Sequence, residues 1–198
     1  MNLFTLDRWP LLLICAAMIA SAIIDWWKFK VPNWLTLPTI VAGWLLGAGY
    51  DIWGSPLEYV PPGWRFLASL ACTLLGFLLL GWMRALKMMG GGDVKMQMGF
   101  GAWIGAYFGI STGPWVVLYA WIFAVIAGGI IGLGMMLLGD FRQHLKNMRE
   151  IAIGFFQAGG SPALIRKQSE ERNPRYTRLP YGVPLCIGFL TYLYFFLS

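Results

Sequence analysis

Two aspartates stand where a largely apolar chain seldom tolerates acids. Asp25 sits inside an apolar block, in Ile23-Ile24-Asp25-Trp26-Trp27, and Asp93 closes the run Gly90-Gly91-Gly92-Asp93. An ionised Asp at the centre of a membrane helix costs about 2.5–3.5 kcal/mol on insertion scales, so an acid at such depth reads as functional by default. The tryptophans after Asp25 suit a membrane–water interface, which puts Asp25 one turn inside it. The glycines before Asp93 let backbone pass close to another segment, and an Asp after them is suited to cap the helix that follows. Two carboxylates in contact do not easily both ionise; they share a proton in a coupled titration. Such a pair supplies a base to activate water and an acid to protonate a peptide carbonyl. No Ser or Cys nucleophile with a partner base is visible, and the single His144 lies in a basic loop. Two acids without a nearby imidazole do not make a metal site, and no cofactor is implied. Taken singly, Asp93 also reads as a turn-and-cap residue, Asp25 as a partner for Lys28 or Lys30, and Lys95 as an interfacial anchor.

The elements that must position these acids are apolar blocks. The 198 residues are 58% hydrophobic and 12% charged, where a soluble domain would carry about 25% charged residues. Blocks of roughly 17–25 apolar residues match the length needed to cross a ~30 Å hydrocarbon core as helix. Helices are expected at 11–27, 34–50, 64–88, 94–111, 114–139 and 181–197, making one all-α polytopic membrane domain over 1–198 with six transmembrane helices. The second is short and holds Pro38, which membrane helices tolerate. Gly99, Gly101, Gly105 and Gly109 in the fourth, and Gly128, Gly129, Gly132 and Gly134 in the fifth, predict small-residue packing faces. A tight Ser111-Thr112-Gly113-Pro114 turn is expected between those two helices. The loop at 140–180 is the one sizeable extramembrane piece. Its 141–156 stretch reads as an amphipathic interfacial helix, broken at Gly159-Gly160-Ser161-Pro162, and its basic residues suit anionic lipid. Cys15, Cys72 and Cys186 lie in apolar blocks without C-x-x-C spacing, so neither a disulfide framework nor a zinc site is indicated. Asp25 interrupts any signal-peptide reading of the first block. No motif supports nucleic-acid binding.

Charge fixes the expected orientation. Loops one, three and five hold 13 of the 15 Lys and Arg, leaving Arg8 and Arg65 on the other side. The positive-inside rule then places those loops in the cytoplasm and both termini outside. Asp25 follows one crossing and Asp93 follows three, so both reach the cytoplasmic face and can meet although they are 68 positions apart in the sequence.

At these residues the chain resembles the type IV prepilin peptidases, membrane aspartic peptidases of the G-x-G-D class. Asp25 with Val31-Pro32-Asn33-Trp34-Leu35-Thr36-Leu37-Pro38 resembles the family's first motif, an Asp seven residues ahead of a P-N or P-D pair. Gly90-Gly91-Gly92-Asp93-Val94-Lys95 resembles the second, G-x-G-D-x-K. Gly101-Ala102-Trp103-Ile104-Gly105 and the late Pro180-Tyr181-Gly182 are also similar to family segments. Trp27 departs from the basic residue that many members carry two places after the first Asp.

The resemblance implies an aspartic endopeptidase of the bacterial inner membrane, with Asp25 and Asp93 catalytic and Gly90, Gly92, Lys95 and Asn33 binding substrate or tuning the acids. The implied substrate is a prepilin or pseudopilin, cut between a basic leader and an apolar N-terminal helix. It is similar to the short, peptidase-only members of tight-adherence pilus systems, for which N-methyltransferase activity is not expected. Two other function classes remain at this stage: a proton-coupled transporter or channel using the acids as a relay, and a non-catalytic membrane component of pilus assembly. The larger presenilin-type G-x-G-D proteases usually carry a Tyr before the first Asp, where Ile24 stands here.

Overall fold

The computed structural model describes residues 9–28, 31–53, 63–85, 90–138 and 181–197. These form helices α1 (Trp9–Lys28), α2 (Asn33–Trp53), α3 (Trp64–Ala85), α4 (Gly91–Leu138) and α5 (Gly182–Leu197), with no strand among them. Four helices are long and apolar enough to cross a membrane: Trp9–Lys28, Asn33–Trp53, Trp64–Ala85 and the stretch Gly91–Gly134; α5 is a shorter apolar helix. The protein is an all-helical integral membrane protein. Large apolar side chains such as Leu13, Leu45, Leu78 and Ile130 are exposed on its outer faces, as a lipid-facing surface requires. The expected amphipathic helix at 141–156 and its 140–180 loop lie outside the described residues.

α4 is two arms rather than one rod. Gly109 has φ 74° and ψ −173°, a conformation that side-chain-bearing residues rarely adopt. Beyond it the chain doubles back. A Cβ on Gly113 would sit 3.2 Å from Gly105 Cα, whereas a continuous helix would hold residues eight apart at about 12 Å. The arms, 91–108 and 110–138, correspond to the fourth and fifth expected helices. The reversal falls at Gly109, ahead of the expected Ser111–Pro114 turn. Ser111 to Pro114 belong to the start of the second arm instead, with Pro114 inside the helix.

Small residues set how closely the helices approach. α3 runs against the first arm with Gly76 backed onto the Gln97 carbonyl, Gly101 onto that of Cys72 and Gly105 onto that of Ala68. A side chain at Gly101 or Gly105 would strike backbone, so the packing face predicted for this helix is real. In the second arm the expectation fails in part. Gly128 meets Pro184 of α5, while nothing described lies within 4 Å of a Cβ on Gly129, Gly132 or Gly134. Composition alone did not separate a packing glycine from one at an open face. Phe100 of the first arm and Phe189 of α5 meet edge to face with centroids 4.0 Å apart, which packs α5 beneath the acid site. The Trp103 indole donates to the Thr39 carbonyl at 2.8 Å, holding α2 to the same arm.

A second polar centre lies at the reversal end. Both oxygens of Asp51, at the close of α2, accept from the first turn of α3, from the Arg65 N–H at 3.1 Å and the Phe66 N–H at 2.9 Å. They satisfy donors that a helix N-terminus leaves unpaired. Arg65 is 2% exposed, and its guanidinium donates to the Tyr107 carbonyl beside the Gly109 break. One of the two exceptions to the loop-charge pattern, Arg65, is thus a cation held inside the protein.

Candidate active site at the α1–α4–α5 junction

Asp25 ends α1 on its inward face. It is 3% exposed, while Trp26 and Trp27 beside it are 60% and 79% exposed. The helical period therefore turns the acid into the bundle and the indoles out, as an interfacial position demands. Its Oδ2 accepts the Gly182 N–H at 2.9 Å. Gly182 opens α5, with Tyr181 supplying the first helical carbonyl to Leu185. The acid thereby takes one of the orphan donors of a helix N-terminus, at the positive end of its dipole.

Asp93 is 6% exposed and lies in the first turn of α4. The sequence led us to expect it as the cap itself, with the helix starting at Val94. The helix instead begins at Gly91, and the Asp93 carboxylate reaches back to the Gly90 N–H. That is the return half of a capping box, made by the third helical residue. Oδ2 lies on the Gly90 side, and Oδ1 is buried without a hydrogen-bond partner among the described residues. The Asp25 carboxylate is close enough to act on Asp93 electrostatically. Acids from α1 and α4 are therefore within electrostatic reach of each other, a meeting that the loop parity allows.

The other residues singled out by sequence divide. Gly90 is exposed beside Asp93, and a Cβ there would come within 3.0 Å of Asp93 Oδ2. Gly92 is a packing glycine: a Cβ there would come within 2.7 Å of the Val31 carbonyl oxygen. This close approach seats the Val31–Pro32–Asn33 segment on the start of α4. Lys95 Nζ donates to Asn33 Oδ1 at 2.9 Å, fastening the same two segments together. Lys95 thus has a partner on α2, and no contact with Asp93 is seen.

Two residues of the site escaped a role in the sequence reading, although the P-Y-G segment was visible. Gly182 must be a glycine, since a Cβ would sit 2.9 Å from Asp25 Oδ2. Tyr181 lies within electrostatic reach of Asp93; burial first, and then that carboxylate, raise its phenol above the usual range. A phenol so placed keeps its proton and can donate it in a hydrogen bond.

This arrangement of motifs is matched by known proteins. A sequence model of the type IV leader peptidase family matches residues 12–137, which include both acids.

The chain belongs to the type IV leader peptidase family.

Among curated members, the prepilin leader peptidase/N-methyltransferase of Burkholderia pseudomallei (strain 1026b) is 30% identical over 158 residues, covering 77% of this chain and 44% of that protein. The Aeromonas salmonicida (strain A449) protein of the same name is 29% identical over 136 residues, 67% of this chain and 41% of its own length. The chain thus spans less than half the length of these leader peptidase relatives. No solved structure gives a significant match. Within the type IV leader peptidase match, the Asp25 and Asp93 segments come from different helices and converge with the start of α5, which lies beyond the matched region.

Proposed function

We propose that this protein is an aspartic endopeptidase that removes the basic leader of prepilin-like substrates, with Asp25 and Asp93 as its catalytic pair. The observation that carries this reading is the meeting of two buried carboxylates, one from α1 and one from α4, each held by a helix-terminal N–H. Water attacks the scissile carbonyl as one carboxylate takes its proton. The other, protonated, gives its proton to the carbonyl oxygen, forming a tetrahedral diol. As the C–N bond breaks, the first passes the proton it took from water to the leaving amine, and the second takes one back from the diol hydroxyl. No covalent intermediate is needed. Gly90, exposed and without a side chain, lets substrate backbone approach, the Lys95–Asn33 pair holds the rim of the site, and Gly92 keeps Val31 in place.

The chain crosses the bacterial inner membrane six times, with the two arms of α4 counted separately. Both termini lie outside and the acids face the cytoplasm, on the strength of the Lys and Arg distribution among the loops. A substrate helix lying in the bilayer then presents its leader junction at the depth of the acids. The family match and the relatives named for prepilin leader peptidase activity support this substrate class. The test is incubation of the purified protein with prepilin-like proteins from the same genome, read by intact-mass spectrometry. A loss equal to the leader is expected. Unchanged substrate masses would refute the reading.

A further inference from the structure

We propose that Gln97 and Thr36 form a hydrogen-bonding subsite for the main chain of the bound substrate, one helical turn deeper than the two acids. The inference rests on the peptidase reading and names how that site holds its peptide.

Both side chains are almost wholly buried, Gln97 at 2% and Thr36 at 1% exposure. Gln97 Nε2 and Thr36 Oγ1 nevertheless have no hydrogen-bond partner among the described residues. Buried polar atoms left unpaired destabilise a fold, and native proteins keep few of them. Their placement here is specific. Gln97 follows Asp93 by four residues, so it lies on the same face of the first arm of α4, one turn further in. Thr36 lines a small cavity of about 10 Å³ with Thr39 and Met96. Ser21, four residues before Asp25, lines it from α1. The cavity therefore lies beside the acid-bearing turns of α1 and α4, bounded by α1, α2 and α4.

The chemistry of cleavage supplies a partner for these atoms. A peptide bond inside a helix is shielded by its own hydrogen bonds, so the segment to be cut must first leave helical geometry. Its freed N–H and C=O groups then stand in a low-dielectric setting where unpaired backbone is costly. The Gln97 amide offers N–H donors to a carbonyl, and the Thr36 hydroxyl can donate to a carbonyl or accept from an N–H. The one proton the acids share goes to the scissile carbonyl oxygen, which leaves the flanking backbone groups to other partners. The roles separate accordingly: the acids handle water and proton, while Gln97 and Thr36 hold main chain next to the scissile bond. These are positioning groups at which the resting enzyme keeps unpaired what the bound substrate pairs.

Shape-conserving variants of the full-length protein test this. Gln97→Met and Thr36→Val remove the polar atoms with little change of volume, and Thr36→Ser keeps the hydroxyl. kcat and KM on a prepilin-like substrate are measured beside the melting temperature in the same detergent or nanodisc. Each apolar variant is expected to melt no lower than wild type while kcat/KM falls about tenfold, with Thr36→Ser close to wild type. A kcat/KM within about twofold of wild type in both apolar variants would overturn the subsite. So would an activity loss that merely follows a lower melting temperature, because that is a structural role. Asp25→Asn runs alongside. If it is dead while Gln97→Met and Thr36→Val cleave normally, the subsite fails and the peptidase stands. If wild type itself does not cleave, the peptidase reading fails and takes the subsite with it.

Discussion

The bundle buries charge at two ends, and the two ends treat it differently. At the reversal end, Asp51 engages both oxygens with N–H groups of α3, and Arg65 bonds a carbonyl beside the Gly109 break. Each charge there closes a helix terminus. At the other end two carboxyl groups lie within electrostatic reach, each disfavouring the other's charge. Arrangements of the first kind stabilise a fold. The second kind is an unfavourable one, which persists where chemistry needs it.

The sharpest way to break this comparison is to neutralise acids at each end. Asp25→Asn and Asp93→Asn should each lower the cleavage rate by about 10²–10⁴-fold or more, with the folded fraction kept. Asp51→Asn should leave the rate per folded molecule at wild type. A leader-cleavage time course on the purified variants, corrected for folded protein by gel filtration, reads both. Gly182→Ala comes next. Its new methyl would press on Asp25, so we expect about 1–3 kcal/mol of destabilisation from overpacking and a larger loss of activity than the folded fraction explains. Arg65→Met removes the buried hydrogen bond to the Tyr107 carbonyl and should cost about 1–3 kcal/mol of stability with kcat unchanged, measured by thermal melting and steady-state kinetics. Asp51→Ala removes a helix cap and should cost about 1 kcal/mol, again without touching kcat. If either reversal-end variant loses kcat while remaining folded, the division between the two ends is wrong.

What the sequence made legible follows from where the information lies. Helix positions were plain because apolar block length is a local property, and α1, α2, α3 and α5 fall within a few residues of their expected ranges. That Asp25 and Asp93 could meet was legible too, since crossing parity is a count along the chain. Gly109 was hidden among many glycines; only the backbone shows that it alone of those in α4 turns the chain. The role of Asp93 as the third helical residue, rather than the cap, depended on whether the glycines join the helix. The Gly182–Asp25 bond joins positions 157 apart, and nothing local announces it. Gln97 drew no notice as one polar residue in an apolar run. Its meaning comes from being buried, unpaired and one turn from Asp93.

The central claim is that Asp25 and Asp93 form one shared site. The most direct measurement is cross-linking of the Asp25→Cys/Asp93→Cys chain, with Cys15, Cys72 and Cys186 replaced by Ala, using a short bifunctional thiol reagent in the native membrane. An intramolecular bridge between positions 25 and 93, seen in the peptide masses, is the predicted result, with none between 51 and 93 in the matching Asp51→Cys control. Free thiols at 25 and 93 that each react singly but never bridge would contradict the account.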